Sequence, residues 1–323
     1  MEFSQKLGLQ VKVIKMIAKF MEIAFLTKVD KTNINATGVE GDITLLKKTE
    51  GFDGKQYPYV SGQSVKFAIK QYLLDAGWSL SPIKPKEEEA QITTECNPVK
   101  YIDDDLFGYM DTAKDVRRTA PVKTNGMISI FEWKGDLDRG VRYDPEGKRH
   151  SLFDIEITTT IFRSNWAIEL DLVGRAVKKD EIKGVDGLQD GYIGDFINNQ
   201  EKEKRIKALL DALFNFWTRV KQTNFFTKTS PEVMFVILRD DKSATIGDKL
   251  RVDKNLKLDV KSLREATLLA RDKIKKAYFG YNQSFLTNTE DELNQLEIDG
   301  VIKIMLLHEL KNFLLSGDFK IYE

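Results

Sequence analysis

The 323-residue sequence contains very little cysteine and histidine, and this scarcity excludes several kinds of site. Cys96 is the only cysteine, so one chain can form neither an internal disulfide nor a thiolate zinc site. His150 and His308 are far apart in sequence, and no Ser or Cys pattern accompanies them, so no metal cluster or nucleophilic triad is predicted. No Walker or Rossmann glycine pattern is present. We therefore expect no cofactor, no metal ion and no catalytic residue.

The sequence also lacks an excess of one charge and a long apolar run. Its 50 Lys and Arg balance 50 Asp and Glu, so no overall positive field indicates a nucleic-acid partner. A local cationic groove would nevertheless be enough to bind phosphates. The apolar segment 11–26 is interrupted by Lys12, Lys15, Lys19 and Glu22, which makes it too charged to span a membrane, and no cleavage site follows it. We expect a cytoplasmic globular protein with no membrane partner.

Apolar periodicity predicts six core elements in the order strand, helix, strand, strand, helix, strand. The first helix has the clearest ends, because Ser61 is a good N-cap and Gly77 is a good C′ residue. The predicted strands are 21–28, 127–131, 163–174 and 233–238, and the helices are 61–76 and 203–221. This order is the ferredoxin-like βαββαβ pattern that RNA recognition motifs share, so the predicted fold class is α+β.

Long segments of other composition separate and follow these elements. Residues 29–54 read as a long loop, 77–126 as an irregular insertion, and 132–160 as a protruding hairpin. After residue 239 we expect a β segment near 250–258 and helices near 261–278 and 291–315.

The start of the first helix is a candidate phosphate site. Free N–H groups and the positive end of the helix dipole meet there, and Gln63, Ser64 and Lys66 could add donors. The alternative is an ordinary capped helix with a solvated face that carries Lys66 and Lys70.

Two further segments carry cations. Arg117, Arg118 and Lys123 form a basic cluster that could bind phosphates, or a surface ion-pair patch with Asp111 and Asp115. The hairpin interleaves aromatic and cationic side chains, as single-stranded RNA binders do, although inert surface hairpins also carry mixed charge. These hairpin residues are Trp133, Arg139, Arg142, Tyr143, Lys148, Arg149 and His150. The carboxylates at 103–105 read as an exposed acidic turn rather than a cation site.

Four motifs in sequence carry a family resemblance. They lie at 33–48, 53–66 (with Pro-Tyr-Val-Ser-Gly-Gln), 105–110 (Asp-Leu-Phe-Gly-Tyr-Met) and 117–123 (Arg-Arg-Thr-Ala-Pro-Val-Lys). Over about the first 180 residues, this set resembles the DevR-type Cascade backbone subunit of type I-B CRISPR systems, within the RAMP superfamily.

The resemblance implies a single hand-like domain over residues 1–323. Its palm would comprise 21–76, 127–131 and 163–238 with the C-terminal elements 239–323, its finger 77–126 and its thumb hairpin 132–160. It also implies RNA contacts, which fall at Lys28, Asn33, Ser61, Gln63, Ser64, Lys66, Lys70, Arg117, Arg118, Lys123, Arg139 and Arg142.

The function that the resemblance implies is a non-catalytic subunit that binds CRISPR guide RNA. Its partners would be further copies of itself arranged head to tail, other Cascade subunits, and target DNA paired with the guide. One alternative is a metal-dependent endoribonuclease, as in type III backbone subunits, that uses Asp30 or Asp42 in the loop after the first strand. A second alternative is a DNA-binding autoregulator, although no helix-turn-helix signature is apparent.

Overall fold

The computed structural model describes residues 16–85, 92–147, 151–216, 227–298 and 300–322. Its largest sheet has eight strands in the order β18-β17-β16-β1-β13-β10-β5-β4. These strands are β1 (Phe20–Thr32), β4 (Lys48–Glu50), β5 (Gln56–Val60), β10 (Val122–Ser129), β13 (Thr158–Glu169), β16 (Val233–Arg239), β17 (Ile274–Tyr281) and β18 (Ile302–Leu306). The numbering follows chain order, and the remaining strands belong to smaller sheets.

The four central strands confirm the predicted fold. They lie in the order β16-β1-β13-β10 and pair antiparallel throughout, which is the arrangement that the ferredoxin-like βαββαβ pattern requires. In the register of the sheet, Ile23 of β1 lies between Trp166 of β13 and Val236 of β16. Every residue of β1 from Phe20 to Thr27 is buried, because both faces of this strand are covered.

The helices lie against both faces of the sheet. They are α1 (Gly62–Asp75), α2 (Ile102–Phe107), α3 (Asn199–Asn215), α4 (Val260–Leu269), α5 (Glu290–Asn294) and α6 (Leu307–Leu315). Helices α1, α3 and α6 pack together on one face and form the main core with the sheet. This core contains Phe25 of β1, Trp166 of β13 and Leu213 of α3. Burial of each such side chain contributes about 1.5–3 kcal/mol. Within the described residues, no helix has the length and apolar character needed to cross a membrane.

A second core covers part of the opposite face. Side chains of β1 and β16, such as Leu26 and Phe235, pack there against C-terminal residues such as Ile246 and Leu263. Two 3-10 turns, Gly247–Lys249 and Arg271–Lys273, belong to this region. The strands β13 and β10 contribute little to this second core, so their half of the sheet face is left open.

Four smaller groups of strands complete the structure. A four-stranded sheet has the order β11-β12-β3-β2, and three two-stranded ladders join β6 to β7, β8 to β9 and β14 to β15. Their bounds are β2 (Ala36–Glu40), β3 (Ile43–Leu46), β6 (Lys84–Pro85), β7 (Ile92–Thr93), β8 (Tyr109–Asp111), β9 (Val116–Arg118), β11 (Leu137–Arg142), β12 (Ser151–Glu156), β14 (Arg175–Ala176) and β15 (Gly194–Asp195). The antiparallel pair β11 and β12 confirms the predicted hairpin.

Several predicted elements differ from the structure. The expected loop at 29–54 contains the hairpin β2–β3, which extends the β11–β12 hairpin through a parallel β12–β3 pair. The strand predicted at 163–174 lies at Thr158–Glu169. The helix predicted at 203–221 ends at Asn215, and the end of that prediction lies outside the described residues.

The C-terminal predictions are wrong where strands replace helix. The helix predicted at 261–278 ends at Leu269, and the strand β17 follows it because it pairs with β16. Similarly, the helix predicted at 291–315 is interrupted by β18, which pairs parallel with β17. Near 250–258 only an isolated bridge joins Val252 to Leu258.

Candidate nucleic-acid interface

The first helix begins where the chain leaves β5 at the edge of β10. Ser61 caps the helix, as predicted, and its Oγ accepts the N–H of Ser64 at 3.3 Å. Gly62 and Gly126 permit a close approach of the two segments. A Cβ on Gly62 would lie 2.9 Å from the carbonyl oxygen of Thr124, and Gly126 has φ +82° with the Val60 oxygen only 2.1 Å from where its Cβ would be. The helix start is therefore fixed against a bulge in β10.

Three lysines lie together at this helix start. Lys66 is half-buried, and burial, followed by the charges of Lys70 and Lys123, lowers the pKa of its ammonium group. Lys70 donates to Asp103 at 2.9 Å, and Lys123 donates to Glu169. Within the described part of the chain, no carboxylate lies within ion-pair distance of Lys66, whose ammonium lies 5.8 Å from the centre of the Phe107 ring. Lys66 is thus a desolvated cation available to an anionic ligand.

The open half of the sheet face adjoins these lysines. Lys123 pairs with Ala167 and Ile128 with Arg163, while Asn165 lies between Arg163 and Ala167 on the same face of β13. We call these five residues the open strip. Each of them is at least partly exposed, whereas Ile161, two residues before Arg163 on that face, is buried in the second core. Because Lys123 belongs to both groups, the lysine cluster and the open strip are continuous.

Arg163 and Asn165 were not identified as site residues from the sequence. The alternation of apolar Trp166, Ile168 and Leu170 with other residues was the available signal, because it places residues 163, 165 and 167 on the opposite face. That pattern does not show which part of the face is exposed to solvent. The C-terminal elements that cover the rest of this face are distant in sequence.

The structure separates the two adjacent arginines. Arg117 is exposed and its Nε donates to Asp180 at 2.6 Å, a hydrogen bond that raises the pKa of the guanidinium. Arg118 is 4% exposed, and its guanidinium donates to the Asp105 carboxylate at 2.6 Å and to Glu181 at 3.2 Å. Because its donors also reach three backbone carbonyls, of Asp105, Leu172 and Arg175, the assignment of Arg118 to RNA binding is wrong.

The acidic segment 103–105 is also not the exposed turn that the sequence suggested. All three carboxylates belong to α2 and are buried. Asp103 accepts the N–H of Ser81 as well as Lys70, Asp104 accepts the N–H of Asn97, and Asp105 lies between Arg118 and Arg205. These bonds fasten α2 to α1, to β9 and to α3. Within the described residues, no group of three or more His, Cys, Asp or Glu side chains is placed to hold a metal ion.

The end of β1 and the segment after it carry two predicted residues with different environments. Lys28 is exposed, and its ammonium lies 3.5 Å from the Asp30 carboxylate. Asn33 is fully buried, and its Nδ2 donates to the backbone oxygen of Glu156 at 2.9 Å. Asn33 therefore ties the segment between β1 and β2 to β12, and its prediction as an RNA contact is wrong. Asp42 is exposed in the turn between β2 and β3.

The hairpin carries one predicted cation, Arg139, on the exposed surface of β11. Arg139 forms two hydrogen bonds to Asp154 on the paired strand, at 2.8 and 3.0 Å. Arg142 ends β11, and the hairpin tip with Lys148, Arg149 and His150 lies outside the described residues. At the base, the ammonium of Lys48 lies 3.6 Å from the centre of the Trp133 ring.

Comparisons with known proteins give the family and the fold. A model of the family described as "CRISPR-associated negative auto-regulator DevR/Csa2" matches residues 25–242. A solved chain titled "CRISPR RNA-guided surveillance complex, pre-nicking" is 12% identical with a TM-score of 0.60, and the match covers 93% of this chain and 100% of that chain. Another, titled "CRISPR RNA-guided surveillance complex", is 13% identical with a TM-score of 0.57, covering 91% and 98%. No curated protein matches the sequence.

The family match begins in β1 and ends just after β16, so it includes the four central strands of the sheet, the helix start and the open strip. It covers more than half of the chain and confirms the resemblance that the four motifs indicate. The chain belongs to the CRISPR-associated DevR/Csa2 family.

Proposed function

We propose that this protein binds single-stranded CRISPR guide RNA along the helix start and the open strip. The observation that carries the proposal is Lys66, a half-buried ammonium with a lowered pKa and no carboxylate partner in the described structure. A phosphate beside it would relieve the repulsion from Lys70 and Lys123. Gln63 is exposed on the first turn of α1 and can add a polar contact.

Further predicted contacts would extend this path. Lys28 and Arg139 are exposed, although Asp30 and Asp154 compete for them. Ser61 and Ser64 shape the helix start through their capping bond, so their contribution to RNA binding would come through backbone N–H groups. Arg117 would need to release Asp180 before it could contact RNA. The division of the chain into palm, finger and thumb stays a prediction.

We further propose that the protein is a backbone subunit of a cytoplasmic surveillance complex. Family membership and the titles of the two similar structures support this role. Copies would assemble head to tail along the guide, together with other subunits, and would present the guide for pairing with target DNA. Sequence specificity would come from that pairing. The protein would contact the sugar-phosphate backbone of the guide and recognise its shape.

In this proposal the subunit is not catalytic. Asp30 and Asp42 are both exposed and lie in different elements, β1 and the β2–β3 turn. Incubation of the assembled complex with complementary RNA and magnesium tests the alternative. Cleavage that is lost in Asp30→Ala or Asp42→Ala would favour the endoribonuclease.

The family description favours one other candidate, a negative auto-regulator. That role requires the free protein to bind duplex DNA from its own locus. A comparison of labelled duplex DNA with single-stranded RNA of the same length distinguishes the two roles, because we expect tighter binding of the RNA.

Purification of the protein from cells that express a guide array tests the main proposal. We expect co-purified RNA whose sequence is that of the guide, and loss of this RNA in a Lys66→Glu, Lys123→Glu double variant that still folds. Copurified RNA retained in full by the double variant would contradict the assignment of the site.

A further inference from the structure

The carboxylate of Asp248 lies over Arg163 and Asn165 of the open strip. Nη1 of Arg163 donates to the backbone oxygen of Asp248 at 2.5 Å, and Nδ2 of Asn165 donates to Oδ1 of Asp248 at 2.9 Å. The other guanidinium nitrogen, Nη2, is 3.7 Å from that oxygen, which is too far for a hydrogen bond. The ion pair is therefore incomplete, and Arg163 keeps unused donors.

The turn that carries Asp248 is anchored by other residues. The N–H groups of Ile246 and Gly247 both donate to Oε1 of Glu22 at 2.7 Å, and Glu22 is buried against Arg239. In contrast, the Asp248 side chain is 71% exposed. Rotation of this side chain away from the strip would leave the anchor bonds in place.

The groups beneath Asp248 suit a phosphate better than they suit the carboxylate. Arg163 is only 22% exposed, and within the described residues Asp248 is its sole carboxylate partner. Burial lowers the pKa of Arg163, and the charge of nearby Arg251 acts in the same direction while Asp248 opposes it. A backbone phosphate presents two charged non-bridging oxygens to a guanidinium fork and an amide, whereas Asp248 supplies one carboxylate oxygen and one neutral carbonyl.

We propose that Arg163 and Asn165 form a seat for one backbone phosphate of single-stranded RNA, and that Asp248 occupies this seat until RNA displaces it. The seat adjoins Lys123 on the same face, so it would continue the path from the lysine cluster across the sheet. Asp248 would thereby reduce the affinity for RNA by competition. This inference rests on the proposed RNA-binding function.

The test compares Asp248→Asn with Asp272→Asn in binding a fluorescein-labelled, mixed-sequence single-stranded RNA. The two aspartates match closely, because both lie in 3-10 turns and their side chains are 71% and 70% exposed. Loss of the competing charge at residue 248 should tighten binding by about five-fold or more, the lower range of coupling between two sites. The change at residue 272, which removes a pair with Lys273, should alter binding much less.

A second variant shows whether the effect passes through Arg163. Arg163→Gln should weaken binding, and Asp248→Asn should have little further effect in that background. Arg163→Lys retains the charge and should restore part of the affinity. Equal binding by the variants at residues 248 and 272, or unchanged binding by Arg163→Gln, would overturn the inference alone. Failure of the unaltered protein to bind the RNA would overturn the proposed function as well.

Discussion

Replacement of Arg118 by alanine should destabilise the fold, whereas the same change at the neighbouring Arg117 should not. Arg118 lies between two buried carboxylates, Asp105 and Glu181, and its guanidinium makes five hydrogen bonds within the protein. Truncation would leave these acceptors without their donor in a site that water does not reach. Removal of one partner from a buried ion pair typically costs about 3–5 kcal/mol of unfolding free energy.

The hydrogen bonds that remain in Arg118→Ala show which of the two carboxylates is left with fewer donors. Asp105 would still accept bonds from Arg205 at 2.9 Å and from the N–H of Gly174 at 3.0 Å. Among the described residues, the Glu181 carboxylate would keep only the N–H of Val177, at 3.1 Å. Because burial already raises the pKa of Glu181, we expect this carboxyl to become protonated at still higher pH in Arg118→Ala.

Thermal unfolding followed by circular dichroism measures the difference. A loss of about 3 kcal/mol corresponds to a melting temperature lower by roughly 4–5 °C in a chain of 323 residues. Arg117→Ala is the matched control, since it removes only an exposed pair with Asp180. Equal melting temperatures for the two variants would refute the argument that Arg118 is a buried structural residue.

Three further predictions follow from individual positions. Because burial raises the pKa of Asp104 above its usual 3.8, the fold favours its protonated form, and its contribution to stability falls as pH rises from about 3.8 through the raised pKa. Asp104→Asn should therefore reduce the loss of stability over this range in urea titrations at several pH values, and an unchanged pH dependence would contradict this. Gly126→Ala should destabilise the protein by about 2–4 kcal/mol, because its φ of +82° and the Val60 oxygen both exclude a Cβ; a melting temperature equal to that of the unaltered protein would contradict it. When the assembled complex is incubated with complementary RNA and magnesium, the RNA should stay intact on a gel with both the unaltered protein and Asp30→Ala, since we propose that no cleavage occurs.

The four central strands and the first helix could be predicted from the sequence because their signals are local. Ser61 followed by an apolar stripe defines the first helix, and the alternation around Trp166 defines a strand. The strand order then follows from the βαββαβ pattern, which leaves few ways to pair four strands. The strand β17 was missed because its pairing with β16 joins residues at least 35 positions apart, and local periodicity does not report such pairing.

The site was only partly predictable, because the decisive contacts are non-local. Arg117 and Arg118 look equivalent in sequence, but successive side chains on β9 point in opposite directions. The partner Glu181 lies 63 residues from Arg118, and the acceptor of Asn33 lies 123 residues away. No local pattern reveals such distant contacts. The lysines of α1 were found from spacing alone, since a helix places Lys66 and Lys70 on one side.

The salt dependence of RNA binding by Lys66→Met tests the central claim most directly. Each neutralised phosphate of a single strand contributes about 0.7 to the slope of log K against log salt concentration. Lys303→Met is the matched control, because Lys303 is an exposed lysine on β18, at the opposite edge of the sheet. We predict that Lys66→Met binds more weakly and loses about 0.7 of the slope, while Lys303→Met keeps the affinity and slope of the unaltered protein. Identical affinities and slopes for all three proteins would contradict the account.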